Sequence, residues 1–189
     1  MATWLIISGS PYAQGTCARI AEQIKTSLYD LDPHTNIHLF SVATLNVHGC
    51  IGCNVCKDDF TCIYQDDQNL VREALESADA ALIISPIYFA GVPSQLKAVL
   101  DRLQPYYWKR QEYLDGHDRL PDKRPFYLAL VGEGGDPYGA EPAVPSLTSA
   151  LALVDFKLAR MHAFIAEDEQ RIYEKLTHQI RQAHKEVCS

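Results

Sequence analysis

Basic residues are scarce in this 189-residue sequence. It has 17 Lys and Arg against 24 Asp and Glu, which gives a formal net charge of −7. A nucleic-acid-binding protein needs a clustered basic face to contact phosphates, whereas the basic residues here are scattered and interrupted by acids. The composition therefore excludes a nucleic-acid-binding function, and no nucleic-acid partner is expected.

Long apolar runs are missing as well. No segment reaches the ~20 consecutive apolar residues that cross a bilayer. The opening MATWLIISGSP lacks the basic start of a secretory signal. We therefore expect no membrane partner and a cytoplasmic location. In a reducing compartment the six cysteines are better interpreted as ligands, redox groups or buried apolar residues than as disulfides.

The pattern of apolar residues predicts a single α/β domain over residues 1–189. Five segments predict strands, at 3–7, 36–40, 80–84, 126–131 and 156–165. The apolar runs at 3–7 and 80–84 are typical of buried strands in a parallel sheet, whereas 36–40 alternates between apolar and polar residues. Apolar residues at helical spacing predict helices near 20–31, 67–77, 93–103, 147–154 and 172–187. Such alternation implies right-handed crossovers and a doubly wound parallel sheet with helices on both faces. A cysteine loop at 48–66 and a polar, aromatic insertion near 104–124 interrupt the pattern.

The loop after the first predicted strand, SGSPYAQGT at 8–16, has the composition of an anion-binding turn. Small and hydroxyl residues let backbone N–H groups approach a phosphate, and the N-terminus of the next helix adds partial positive charge. The loop holds no lysine, and neither GxxxxGK nor GxGxxG occurs, which excludes an NTP-hydrolysing P-loop and the dinucleotide fingerprint. The competing interpretation is an ordinary strand–helix turn that needs Gly and Ser for geometry alone.

Two further loops follow the third and fourth predicted strands, SPIYFAGVP at 85–93 and GEGGDPY at 132–138. The carboxyl ends of parallel strands meet at one sheet edge, which is where ligands bind in open α/β sheets. Backbone amides near 87–91 are suited to hydrogen-bond a planar heterocycle, with Tyr88 and Phe89 as aromatic walls. The alternative is that these aromatic residues only cap the core.

Taken together, SGSPxxxG, SPIYFAGVPSQLKAVLDR and the glycine-rich fourth loop resemble the NADPH-dependent FMN reductase branch of the flavodoxin superfamily. The resemblance spans residues 3 to about 136 and implies a flavodoxin-like three-layer sandwich with sheet order 2-1-3-4-5. It implies that FMN is bound at its phosphate by Ser8, Ser10, Gln14, Gly15 and Thr16, and at its ring by Pro86, Ile87, Tyr88, Phe89, Gly91, Gly132, Gly134 and Gly135. The chain departs from the family, which often has Arg, Asn and Thr, at Tyr12, Thr16 and Cys17. Loss of the arginine predicts weaker phosphate binding.

Four cysteines fall within thirteen residues in the pattern C-x2-C-x2-C-x5-C, at Cys50, Cys53, Cys56 and Cys62. Thiolates at such short intervals can converge on one 4Fe-4S cluster. The longer last gap and the missing proline separate this motif from the bacterial ferredoxin pattern. The motif instead resembles the iron-sulfur flavoprotein family, and the acids Asp66 and Asp67 fit that group. Two alternatives stay open, namely metal-free thiols that pack against the flavin or each other, and a zinc site.

Weaker signals surround these motifs. His48 precedes Cys50 by two residues and is either a solvated loop residue or a ligand or proton donor. The aromatic group 106–108 has three interpretations: it shields a flavin face across a dimer interface, lines a substrate pocket, or forms the apolar end of the preceding helix. Asp101 and Arg102 are expected to form an ion pair with each other. No Ser–His–Asp or paired-carboxylate arrangement is discernible, so no catalytic residue is assigned.

The resemblance implies an FMN-dependent oxidoreductase. Electrons would pass from NAD(P)H, or from a reduced ferredoxin, to a small-molecule acceptor such as a quinone, flavin, nitro or azo compound. The alternative is an iron-sulfur flavoprotein that transfers electrons between protein partners without turnover of its own. A homodimer or homotetramer is expected from the same resemblance.

Overall fold

The chain folds around one sheet of five parallel strands. The computed structural model describes residues 1–116 and 121–188. Its strands are β1 (Thr3–Ser8), β2 (Asn36–Ser41), β3 (Ala80–Pro86), β4 (Arg124–Gly132) and β5 (Phe156–Ile165). Their order across the sheet is β2-β1-β3-β4-β5, and each neighbouring pair is parallel. The predicted topology and sheet order are confirmed.

Helices cover both faces of the sheet. They are α1 (Thr16–Leu31), α2 (Cys56–Asp59), α3 (Gln68–Ser77), α4 (Ser94–Asp101), α5 (Gln104–Gly116), α6 (Val144–Ala152) and α7 (Glu169–Val187), with a short 3-10 helix at Glu141–Ala143. Side chains that alternate along β1 enter two separate cores, because successive residues of a strand point to opposite faces. Leu5 and Ile7 pack with α3, α4 and α6, whereas Trp4 and Ile6 pack with α1 and α7. This alternation produces the three-layer sandwich.

None of the helices in the described part of the chain is both long and apolar enough to cross a membrane.

The structure differs from the sequence pattern in two segments. Residues 104–116 of the expected insertion form helix α5, while 117–120 lie outside the described residues. Tyr106 on α5 is buried, and its hydroxyl donates to Glu76 Oε1 at 2.6 Å, so it belongs to the core. The cysteine loop contains the single helical turn α2, which packs on α5 through Lys57 above the Trp108 ring at 5.3 Å.

His184 on α7 is hydrogen-bonded to residues at the sheet edge where β1 and β2 begin. Its Nδ1 accepts a hydrogen bond from Trp4 Nε1 at 3.1 Å. Its Nε2 lies 3.4 Å from Thr35 Oγ1 and 3.5 Å from both Asp32 Oδ2 and Cys188 Sγ. Because Nδ1 accepts from the indole, Nε2 of the neutral ring carries the proton and has no lone pair for a metal ion. The group therefore joins the start of β1 to the ends of α1 and α7.

Candidate functional site

The predicted site residues follow strands that are neighbours in the sheet. β1, β3 and β4 lie side by side and parallel, so the loops that follow them leave the same edge. β3 extends to Pro86, which pairs with Val131, and the Ile87 amide continues the ladder to the Val131 carbonyl at 2.9 Å. The edge thereby brings together residues 8–16, 86–93 and 132–138. This is the position at which open α/β sheets bind ligands.

The turn after β1 is held close to the sheet. The Gly9 amide donates to the Ile84 carbonyl at 2.7 Å. A Cβ at Gly9 would lie 2.6 Å from Leu96 Cδ2 and 3.0 Å from Ser85 Cβ, so only glycine allows this approach. Ser10 Oγ accepts from the Tyr12 amide at 3.1 Å and fixes the next residues. The geometry of the loop is thus set before any ligand binds.

Helix α1 begins beside this turn with open donors. Its N-cap residue is Gly15, which has no side chain to cap the first turn. In the described chain the amide of Thr16 has no hydrogen-bond partner. The Ser8 hydroxyl at the end of β1 is buried and also unpaired. Unpaired donors next to a helix N-terminus suit an anionic group, so the residues present fit the phosphate of FMN.

A positive charge reaches this site from Arg19, which the sequence analysis missed. Its guanidinium donates to the Gln14 carbonyl, to Thr16 Oγ1 at 3.3 Å and to Glu169 Oε1 at 2.9 Å. The hydrogen bond from Arg19 lowers the pKa of Glu169, so both groups are charged at neutral pH. Tyr12, at the position where an arginine was expected, is largely exposed. A basic residue in the first turn of the helix after the loop was the signal that could have identified Arg19.

An open cleft of about 910 Å³ adjoins the loop between α1 and β2. Its lining includes Ser8, Gln14, Arg19 and Ser41. The Ser41 hydroxyl, paired in register with Ser8 across the two strands, is likewise buried without a partner. The cleft therefore combines a cation with two unpaired hydroxyl groups.

The loop after β3 is a tight two-residue turn. Tyr88 and Gly91 exchange two backbone hydrogen bonds of 2.9 Å. The residues between them, Phe89 and Ala90, have φ angles of 50° and 56°, a region that costs non-glycine residues energy. The Phe89 side chain is 100% exposed. It therefore contributes nothing to the core, and for Phe89 the alternative of capping the core is wrong.

The loop after β4 packs against this turn. A Cβ at Gly132 would lie 3.2 Å from Ile87 Cδ1, so the small residue lets the two loops approach. Gly134 and Gly135 have φ angles of 89° and 86°, which L side chains rarely adopt. Both glycines are exposed and leave their backbone accessible at the sheet edge.

The cysteine loop brings its four thiols to one small pocket, which all four line together with Arg102. None forms a disulfide. Burial raises the pKa of Cys56, and the charges of the other three thiols add to that effect. Left-handed backbone at Gly52, Asn54 and Phe60 curls the loop so that the thiols face a common space.

The spacing of these thiols is wider than a single zinc ion requires. In the described residues, only Asp32, His184 and Cys188 offer three ligand atoms that all lie within 4.8 Å of one another. Tetrahedral zinc with bonds of about 2.3 Å would hold its sulfur ligands roughly 3.8 Å apart. A 4Fe-4S cluster uses four cysteine ligands, and the loop supplies four free thiols that line one pocket.

Two aspartates hold together the two ends of the cysteine loop, which form its neck. Asp67 accepts from the Asn46 amide at 2.7 Å, and Asp66 accepts from the His48 amide at 3.0 Å. Arg102 reaches Asp66 with contacts of 2.8 and 3.1 Å. The expected Asp101–Arg102 pair is therefore wrong. Asp101 pairs with Lys97 on the exposed side of α4, because adjacent helical residues point in different directions.

His48 belongs to this neck. Its ring stacks on Tyr64 with centroids 4.8 Å apart, and its carbonyl accepts from Arg102 at 2.9 Å. These contacts join the two ends of the loop.

The fold and the open anion site define a flavodoxin-like cofactor-binding protein. The model of the family described as NADPH-dependent FMN reductase matches residues 2–170. The chain belongs to that family.

Curated relatives carry the name iron-sulfur flavoprotein. One from Methanocaldococcus jannaschii is 33% identical over 136 residues, covering 71% of this chain and 63% of the relative. A second from the same organism is 33% identical over 99 residues, covering 52% and 50%. One from Methanosarcina thermophila is 30% identical, covering 51% and 49%. The chain thus matches about half to two thirds of the length of these relatives.

Solved structures share the fold at low sequence identity. A flavone reductase superposes with a TM-score of 0.67 at 14% identity, covering 98% of this chain and 64% of that one. An azoreductase from Bacillus anthracis gives 0.65 at 12% identity, covering 97% and 98%. These similarities establish the flavodoxin-like fold alone.

Proposed function

We propose that the protein is an FMN-dependent oxidoreductase. The observation that carries the proposal is the uncapped N-terminus of α1 beside the unpaired, buried Ser8 hydroxyl, in a chain of the FMN reductase family. Such a group of donors stabilises an anion and costs free energy when left without one.

The binding roles follow from these surroundings. Ser8, Ser10, Gln14, Gly15 and Thr16 would hold the phosphate, with Arg19 as a positive charge beside it. Pro86, Ile87, Tyr88, Phe89, Gly91, Gly132, Gly134 and Gly135 would surround the ring. Bound FMN would supply the hydride and electron chemistry, while the protein orients it. Phe89 is fully exposed and would cover apolar ring surface on binding.

The electron donor in this proposal is NAD(P)H or a reduced ferredoxin. The acceptor is a small planar molecule of the quinone, flavin, nitro or azo class. The family description, which names NADPH, and the names of the reductase neighbours support this chemistry. We propose a homodimer or homotetramer as the working form.

A second candidate function is electron transfer between proteins through a 4Fe-4S cluster. It is favoured by the four free thiols at one pocket and by the relatives named iron-sulfur flavoprotein. Cys50, Cys53, Cys56 and Cys62 would be the ligands.

Anaerobic purification tests both candidates. Iron, sulfide and flavin would be assayed on one sample, followed by steady-state reduction of a quinone with NADH and with NADPH. Stoichiometric FMN and turnover with either nucleotide support the reductase. FMN and about four irons per chain without turnover support the transfer module, and absence of FMN affinity contradicts both.

Matched variants identify the ligand set. Cys56→Ala should abolish iron binding and retain FMN, because Cys56 lines the thiol pocket. Cys17→Ala should retain both, because Cys17 is packed in the core between the sheet and α1. Equal iron content in the two variants would refute the thiol pocket as the iron site.

A further inference from the structure

Arg102 is the charged side chain placed deepest beside the thiol pocket. It follows the last residue of α4, and its side chain is 1% exposed. Both terminal nitrogens are occupied. Nη1 donates to the His48 carbonyl at 2.9 Å and to Asp66 Oδ2 at 2.8 Å, and Nη2 donates to the Tyr64 carbonyl and Asp66 Oδ1 at 3.1 Å. This fork holds the guanidinium in one orientation.

The third nitrogen of the guanidinium has no partner. Arg102 Nε is buried and makes no hydrogen bond to any residue that the structure describes. Leaving a buried charged-group donor unpaired is costly, so the site keeps a donor available for an acceptor that comes within reach only when the thiol pocket is filled. Arg102 and Cys62 line the same pocket with the other three cysteines.

Cys62 is the thiol that lies nearest in the chain to the groups that hold the guanidinium, since Tyr64 and Asp66 follow it by two and four residues. The Tyr64 ring, 5.1 Å from the guanidinium carbon, shields another side. The unpaired Nε–H of Arg102 therefore faces the thiol pocket.

We propose that Arg102 Nε–H donates a hydrogen bond to the Cys62 sulfur once the four thiols hold their cluster, and that Asp66 fixes the guanidinium for this contact. The inference rests on the 4Fe-4S cluster of the proposed function. Hydrogen bonds to ligand sulfur are one way in which proteins set the reduction potential of such a centre. Arg102 is thus a positioning and tuning residue, and Asp66 compensates its charge.

The proposal makes opposite predictions for two substitutions. Arg102→Lys keeps a cation for Asp66 but lacks Nε, so the reduction potential should shift to more negative values. Asp66→Asn leaves an amide oxygen and the His48 and Tyr64 carbonyls to hold the guanidinium but removes the compensating charge, so the potential should shift to more positive values. A residue that only held the loop together would not give shifts of opposite sign.

The control is Arg124→Lys. Arg124 is a half-buried arginine whose guanidinium donates to backbone carbonyls, including those of Leu75 and Val154. It lies at the start of β4 and lines a different pocket, which holds none of the four cysteines of the loop. This variant should lose stability while keeping the potential of the native protein.

The test is a potentiometric titration of the anaerobically reconstituted proteins, followed by electron paramagnetic resonance, with iron and sulfide assayed on each. Shifts of opposite sign in the two variants and none in the control support the proposal. Unchanged potentials and spectra in both variants, with iron loaded, overturn the role of Arg102 and leave the cluster standing. If Arg102→Lys fails to fold, an unchanged potential in Asp66→Asn overturns it. Native protein that binds FMN but no iron overturns the cluster and this inference together.

Discussion

Ser8 shows how a single side chain can reveal a binding site. A buried hydroxyl without a partner lowers stability by roughly 1–3 kcal/mol relative to a paired one. Ser8 Oγ is in that situation, whereas Ser27, also a buried serine, accepts from Arg181 Nε at 3.0 Å. The contrast indicates that Ser8 is placed for a ligand.

Ser8→Ala should therefore have opposite effects on stability and binding. The cofactor-free protein should gain roughly 1 kcal/mol in the free energy of unfolding, because the unpaired hydroxyl is removed. The Kd for FMN should rise about fivefold, equivalent to roughly 1 kcal/mol. Denaturant unfolding and flavin-fluorescence titration measure the two quantities. Ser27→Ala should lose stability and keep the Kd, and a Ser8→Ala protein with native affinity would contradict the phosphate site.

Cys17 predicts how stability depends on alkaline pH. Burial raises its pKa to about 12, whereas a free thiol ionises near 8.5. The unfolded chain therefore releases this proton first, so the contribution is complete below about pH 8.5 and is lost between about 8.5 and 12. At about pH 9.5 the loss should be roughly 1.4 kcal/mol.

Urea unfolding of the native protein and of Cys17→Ala between neutral pH and about pH 10 checks this expectation. The free energy of unfolding of the variant should fall less steeply, because alanine does not ionise. Parallel pH profiles for the two proteins would mean that the thiol ionises equally in both states.

At the scale of elements, the turn between Tyr88 and Gly91 stores backbone strain. Both central residues, Phe89 and Ala90, have positive φ, although this conformation favours glycine. Strain of this kind is retained where the surroundings require it, commonly at ligand sites. The turn lies at the sheet edge where the phosphate loop also lies.

Ala90→Gly should relieve part of this strain and stabilise the protein by about 0.5–1 kcal/mol. Ala98→Gly, in the middle of α4, should instead destabilise it by about 1 kcal/mol. Chemical denaturation of both variants provides the comparison. Equal destabilisation by the two substitutions would show that the turn is not strained at position 90.

At the scale of the whole molecule, FMN binding should increase the free energy of unfolding. Two elements far apart in sequence meet at the anion site, since Arg19 on α1 bonds Glu169 on α7. Because the unfolded chain lacks this site, the ligand binds only the folded state. At a concentration 100 times its Kd, FMN should add about 2.7 kcal/mol to the free energy of unfolding and raise the melting temperature by roughly 5–10 °C.

Riboflavin is the matched comparison, because it has the same ring and no phosphate. At the same concentration it should raise the melting temperature much less in the flavin-free protein. Equal shifts with riboflavin and FMN would show that the N-terminus of α1 does not bind the phosphate.

The sequence by itself determined the sheet. The five segments predicted from 3–7 to 156–165 became β1 to β5. The central strands β1, β3 and β4 are recognisable because strands buried on both faces need continuous apolar runs, whereas the edge strands β2 and β5 are only partly buried. Helix α5 was not predicted, since its apolar residues do not lie on one helical side. The cysteine spacing and the glycine-rich loops were likewise readable, because each is local in the chain.

Only the tertiary structure decided which side chains pair with each other. Arg102 pairs with Asp66 across 36 positions and Arg19 with Glu169 across 150; in neither case does the sequence mark the partner. The unpaired Ser8 hydroxyl and Arg102 Nε were equally invisible, because an absent hydrogen bond is defined by everything packed around the atom. Periodicity and spacing report a residue's own neighbourhood along the chain, whereas pairing and burial depend on which elements meet in space.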